Sequence, residues 1–293
     1  MMKYNERLPV FSRDFLTSHS DDELRLVLDY FADQTDNEIQ NRLISELMAR
    51  YADVSKQLTD KNKELKMYSE HLEELVEEKI REISASQVAT IHALVKAAES
   101  RDDDTGKHIE RTSLFCGIIA EKLYEAGLYP EIIDEHYAEQ IAKASPLHDI
   151  GKIGIKDAVL LKPDRLTPEE FEIMKTHVEI GYETLARAQA AYPGNVFLKI
   201  GIDIARYHQE KWDGSGYMKG LAGEDIPLSA RIMALSDVYD ALRSRRVYKE
   251  PFSHEKAYSI IIEGRGKHFD PVLADLFKEH HSSFEMIYDS LAT

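Results

Sequence analysis

Residues 54 to 88 contain neither proline nor glycine and are dominated by charged, helix-forming side chains. A stretch of that length without a breaker is restricted to one continuous helix. Its apolar residues set the partner face: Leu58, Leu65, Tyr68, Leu72 and Leu75 follow a 7/3/4/3 spacing, and after a one-residue offset Val76, Ile80, Ile83 and Gln87 continue at 4/3/4. A short, interrupted coiled coil results, read as the parallel stalk of a homodimer. The alternative is a single amphipathic helix packed on its own domain.

The stalk divides the chain. Residues 1–52 read as a small N-terminal helical segment with room for a regulatory role, capped at Ser20 beside Asp21 and Asp22, with Leu24, Leu28, Phe31, Ile39, Leu43 and Leu47 at helical spacing. Residues 53–88 are the coiled-coil connector, and residues 89–293 form the main domain. That domain shows helical periodicity and no alternating strand segments, so the fold class is all-α. Thr167, followed by Pro168, Glu169 and Glu170, opens a helix expected to carry His177 in its interior, and Ser253 caps another.

Composition removes several functions. A net charge of -16 argues against broad DNA or RNA binding, which needs clustered cations to neutralise phosphates. Apolar runs such as "LFCGIIA" at 114–120 fall far short of the roughly 20 residues that cross a bilayer, so no membrane insertion and a cytoplasmic location are expected. The one cysteine, Cys116, sits in that run and reads as a small core residue.

The chemistry concentrates in "SPLHDIGKIGI", residues 145–155. If the segment is an α-helix, His148 and Asp149 point about 100° apart and embrace a metal pair better than one small organic group. The carboxylate can bridge two ions while the imidazole binds one. Other candidate ligands follow: Asp104 and His108 at i, i+4, His177 and His208 in apolar surroundings, and Asp237 between apolar neighbours. Each alone has an ordinary structural explanation; the set argues for metal. Mixed imidazole and carboxylate donors without thiolate favour iron, manganese or zinc over calcium. Two such ions about 3.5–4 Å apart lower the pKa of a shared water towards 7, which suits phosphate-ester hydrolysis.

Lys152 is placed to supply a proton or positive charge to a leaving alkoxide, and Arg243, Arg245, Arg246 and Lys249 make a local cationic run for phosphate. Gly214, Gly216, Gly220 and Gly223 in "WDGSGYMKGLAGEDIP" suggest backbone brought close to another group.

The series "RDDDTGKHIERT", "HDIGK", "MKTHVEIG", "HQEKWDGSGYMKGL", "SDVYDALRSRRVYK" and "GKHFDP" resembles the HD-GYP family, a helical subgroup of HD-domain metal phosphohydrolases, over about residues 89–285. The resemblance implies metal ligands at His148, Asp149, His177, His208 and Asp237, with Asp104 and His108 on the first motif. It implies that Lys152 acts with Asp149 in catalysis and that Gly216, Tyr217, Arg246 and Lys249 bind a cyclic dinucleotide. It further implies iron or manganese as the metal. Gln209 stands where the family often has a second histidine, Met218 replaces the proline of the GYP motif, and Asp104 stands where the family often has glutamate or no carboxylate, which leaves a third metal open. The expected activity is hydrolysis of cyclic di-GMP or 3'3'-cyclic GMP-AMP to linear dinucleotide or mononucleotides, with signalling proteins as further partners. Its rivals are another nucleotide substrate, or a catalytically weak sensor or adaptor.

Overall fold

The computed structural model describes residues 37–99, 107–217, 220–245 and 250–291. The N-terminal positions Ser20, Leu24, Leu28 and Phe31 lie outside the described residues, as do Asp104, Met218, Arg246 and Lys249. Among the described residues the fold is all-α, and the one β feature is an isolated bridge between Arg265 and Phe269.

Helix α1 spans Asn37–Glu99, a run of 63 residues. The expected segment boundaries at 52/53 and 88/89 both fall inside it. The reason is local: no proline or glycine occurs between residues 37 and 99. The chain forms two compact units, Met1–Glu82 and Ile83–Thr293. In the first, Leu58, Leu65, Tyr68, Leu72, Leu75, Val76 and Ile80 are all exposed.

The second unit is built from α2 (Lys107–Glu125), α3 (Tyr137–Ala144), a 3-10 helix (Ser145–Gly154), α4 (Asp157–Leu160), α5 (Pro168–Lys175), α6 (His177–Ala191), α7 (Val196–Tyr207), α8 (Leu228–Arg243), α9 (His254–Glu263) and α10 (Pro271–Leu291). Local caps define several starts. Thr167 and Glu170 form a reciprocal capping box at α5, Asn195 accepts from Leu198 N at 3.1 Å, and Ser253 accepts from Lys256 N at 3.3 Å.

The main core joins α2, α3, α7, α8, α9 and α10 around fully buried aromatic rings. Phe115 of α2 stacks on Phe284 of α10 at 4.8 Å and meets Tyr239 of α8 edge-on at 5.2 Å. Such pairs add about 0.5–1.5 kcal/mol each beyond their buried area. They fix α2 against α8, which decides where His108 and Asp237 stand. Cys116 is fully buried there and burial pushes its thiol up to about 12, consistent with a core residue.

A smaller cluster of Val95, Ile109, Leu147, Leu185 and Ala205 seats the 3-10 helix against α6 and α7. This contact depends on Gly151. A Cβ there would lie 1.9 Å from the carbonyl oxygen of His177 and 2.5 Å from Gly181 N, so only glycine lets the two backbones approach. Close approach carries His148 and Asp149 directly over the first turn of α6.

Candidate metal centre

Six of the expected ligand residues converge, and they do so in two groups. The ligating atoms of His108, His148 and Asp237 lie within 4.8 Å of one another, as do those of Asp149, His177 and His208. All four imidazoles are buried, Asp149 is nearly so, and Asp237 is partly exposed.

The aim of each ring is set by its Nδ1. His148 Nδ1 donates to the carbonyl of Ser145 at 2.9 Å, His177 Nδ1 to Met174 at 2.7 Å, and His208 Nδ1 to Ile204 at 3.0 Å. A carbonyl can only accept, so the proton sits on Nδ1 and the Nε2 lone pair faces the centre. His108 reaches the same tautomer by a longer route, donating from Nδ1 to the buried carboxylate of Asp240 at 2.7 Å. Arg111 in turn holds Asp240 with Nε at 2.5 Å and a terminal nitrogen at 2.9 Å. Carboxylate–histidine pairs of this kind orient metal ligands and raise their basicity.

Asp149 is shared between the groups. Its Oδ1 faces His177 Nε2 at 3.3 Å and His208 Nε2 at 3.7 Å, while Oδ2 lies 3.3 Å from His148 Nε2 and 2.8 Å from Lys152 Nζ. Burial would raise this carboxyl, but Lys152 and the neighbouring imidazoles hold it well below the usual carboxylate range. Burial drives His208 down to about 3 and also lowers His177, against the pull of Asp149. Both imidazoles are therefore neutral at pH 7, the form that binds metal.

Three features fit this pocket to cations. The Nε2 atoms of His177 and His208 are buried without a hydrogen-bond partner. The Nε2 atoms of His108 and His148 face each other at 3.4 Å. Asp149 presents a separate oxygen to each group. Lone pairs so arranged repel one another until positive charge is placed between them. The donor set of four imidazoles and two carboxylates suits first-row metals.

Several expectations need correction. His148 and Asp149 lie on a 3-10 helix, where successive side chains turn by about 120° and not the 100° of an α-helix. His177 is the first residue of α6 and does not lie inside the helix opened by Thr167, which ends at Lys175. Thr176 makes the break, its hydroxyl donating back to Ile173 O at 2.7 Å. The structure gives Gly216 an internal reason: a Cβ there would stand 2.5 Å from Glu210 Cα and 2.6 Å from Lys211 N. Tyr217 follows it, and the charges of Asp149 and Asp237 help burial push its phenol pKa up. Lys152 pairs with Asp149, and Gln209 sits between the buried His208 and Glu210. The expected ligand Asp104 and the phosphate-side residues Arg246 and Lys249 are outside the described residues.

Sequence reasoning missed Asp240 and Arg111. Their signal was spacing: Arg111 lies i+3 from His108, and Asp240 lies i+3 from Asp237.

Comparison with known proteins supplies an independent view. Residues 129–273 match the family model of the HD domain. A probable cyclic di-GMP phosphodiesterase of Vibrio cholerae is 46% identical over 74% of this chain and 49% of its own length. A cyclic di-GMP phosphodiesterase of the same organism is 48% identical over 70% of this chain and 42% of its length. The V. cholerae 3'3'-cGAMP-specific phosphodiesterase 2 is 42% identical over 69% of this chain and 36% of its length. The matched region thus spans less than half of each of these relatives. Among the described residues, no helix is long and apolar enough to cross a membrane.

Proposed function

Because this chain belongs to the HD-domain family, in its HD-GYP branch, we propose that it is a cytoplasmic, metal-dependent phosphodiesterase that opens cyclic di-GMP. The observation that carries the reading is the pair of ligand groups joined by Asp149. His108, His148 and Asp237 would hold one ion; Asp149, His177 and His208 would hold the other. Iron or manganese is the proposed metal, as the resemblance to the HD-GYP family implies; imidazole and carboxylate donors without thiolate are compatible with either. Bound there, two ions supply Lewis acidity towards the phosphate and a water acidic enough to attack phosphorus at neutral pH.

The chain's own groups do the rest. Asp149 stays ionised through Lys152 and the imidazoles, and its two oxygens would be offered one to each ion. Lys152, held at 2.8 Å from Asp149 Oδ2, keeps an ammonium at the edge of the centre, where it can protonate or neutralise the leaving ribose oxygen. Tyr217 supplies a phenol beside the centre for the substrate, while Arg246 and Lys249 are proposed to meet its phosphates. Cyclic di-GMP is preferred as substrate by the names of two relatives, and 3'3'-cyclic GMP-AMP belongs in the same assay on account of the third.

The test is incubation of anaerobically iron- or manganese-loaded protein with cyclic di-GMP, cyclic GMP-AMP and mononucleotide esters. Linear dinucleotide or mononucleotide products are expected. Turnover of mononucleotides with both cyclic dinucleotides intact defeats the reading, and tight dinucleotide binding without turnover would favour a sensor.

We also propose that the chain works as a homodimer joined along α1. The support is the row of exposed Leu58, Leu65 and Leu72, 57 to 64% accessible, which a second copy would cover. Replacing Leu65 and Leu72 together by aspartate is expected to convert a dimer to a monomer in sedimentation velocity; an unchanged sedimentation coefficient would place the dimer contact elsewhere.

A further inference from the structure

Helix α5 ends two residues before His177, and it carries two side chains that the proposed metal centre does not use. Phe171 is 44% exposed, a large ring left open to solvent. It meets the ring of Tyr217 at 6.0 Å with an interplanar angle of 75°, so the two rings stand as adjoining walls. The ammonium of Lys175 lies over both rings, 5.1 Å from the Phe171 centroid and 5.6 Å from that of Tyr217. One of its protons goes to Glu172 Oε1 at 2.6 Å, which leaves two for another acceptor.

The corner sits beside the metal centre. Lys175 stands two residues before His177, whose Nε2 is 3.3 Å from Asp149 Oδ1. A nucleotide whose phosphate reaches that centre must place a base near its rim. Aromatic faces accept any base by stacking, whereas a lysine donor distinguishes guanine, which offers O6 and N7 as adjacent acceptors, from adenine, which puts an amino group in place of O6.

We propose that Phe171, Tyr217 and Lys175 form a guanine-binding corner, with Phe171 as a stacking wall and Lys175 as the selector for guanine. This inference rests on the cyclic-dinucleotide reading above. The bland account of the same contacts is that Lys175 merely fastens α5 to the loop at Tyr217. The two accounts differ over substrate: fastening affects every phosphodiester, and a base corner affects only those with bases.

The experiment compares steady-state hydrolysis of cyclic di-GMP, cyclic di-AMP and the base-free diester methyl p-nitrophenyl phosphate by the metal-loaded 293-residue chain. Phe171→Leu keeps an apolar side chain on α5 but removes the ring. It is expected to raise KM for cyclic di-GMP by about 5- to 100-fold, with the loss at least about fivefold greater than for the base-free diester. Phe171→Trp is expected to restore KM. Lys175→Gln is expected to reduce the preference for cyclic di-GMP over cyclic di-AMP by about tenfold. Unchanged KM in Phe171→Leu, or an equal loss on the base-free diester, overturns the corner while leaving the parent reading intact. Wild-type protein that cleaves the base-free diester but neither dinucleotide defeats the parent reading and is seen before any variant is made.

Discussion

Replacing Asp149 by alanine is expected to remove metal from both halves of the centre and lower turnover by about a thousandfold or more, since several kcal/mol of metal stabilisation correspond to that factor. The expectation follows from the divided carboxylate. Oδ1 serves His177 and His208, and Oδ2 serves the side of His148. Under the proposed assignment, deleting the side chain would strip one ligand from each ion at once. Asp237→Ala is the contrast, because Asp237 belongs to the His108–His148 group only and its loss should spare the other position. Metal analysis after anaerobic purification reads this directly. Two ions retained per chain in Asp149→Ala, with full activity, would refute the shared-ligand assignment.

Gly151→Ala is expected to be nearly as damaging although it touches no ligand atom. The added methyl would stand 1.9 Å from the His177 carbonyl, a backbone atom with no freedom to turn away. The 3-10 helix and α6 must then separate, at a cost of about 3–5 kcal/mol, towards the upper end of single-residue effects. A fall in Tm of about 6–20 °C is expected for a domain of this size. Gly181→Ala, whose methyl would meet its nearest neighbours at 3.4 Å, should shift Tm far less. Similar Tm values for the two variants would show that the helices are not packed as described.

The contrast between what could and could not be read from the sequence follows from the range of the interactions. The all-α class was visible in periodicity, and the caps at Thr167 and Ser253 were visible because a cap is a matter of three or four neighbours. The residues that converge were visible by type, because imidazoles and acids among apolar neighbours need partners. Their division into two groups was not visible. It depends on α2 meeting α8 through Phe115 and Tyr239, a contact between residues 124 positions apart in the chain.

The break before His177 was hidden for the opposite reason. Thr176 keeps a right-handed helical conformation, with φ -65° and ψ -13°, so the residue pattern runs on while the axis changes. Asp240 escaped notice because a buried acid beside an arginine and a histidine looks like any ion pair until the tautomer of His108 is traced. At Gly216 a second reason for glycine was also hidden: Glu210 and Lys211 stand where a Cβ would go, and a glycine loop looks alike whether it makes room for a ligand or for its own backbone.

The four imidazoles differ in what their aim depends on. Three lean on carbonyls three or four residues back, so winding a single turn is enough to point them. His108 leans on a carboxylate 132 residues away, and its direction exists only once α8 has docked. The centre is thus asymmetric in its susceptibility: a strain that parts α2 from α8 would be felt in the His108 group and leave the histidines of the other group correctly pointed. Any signal arriving through those two helices would have one ligand group, and not both, as its lever.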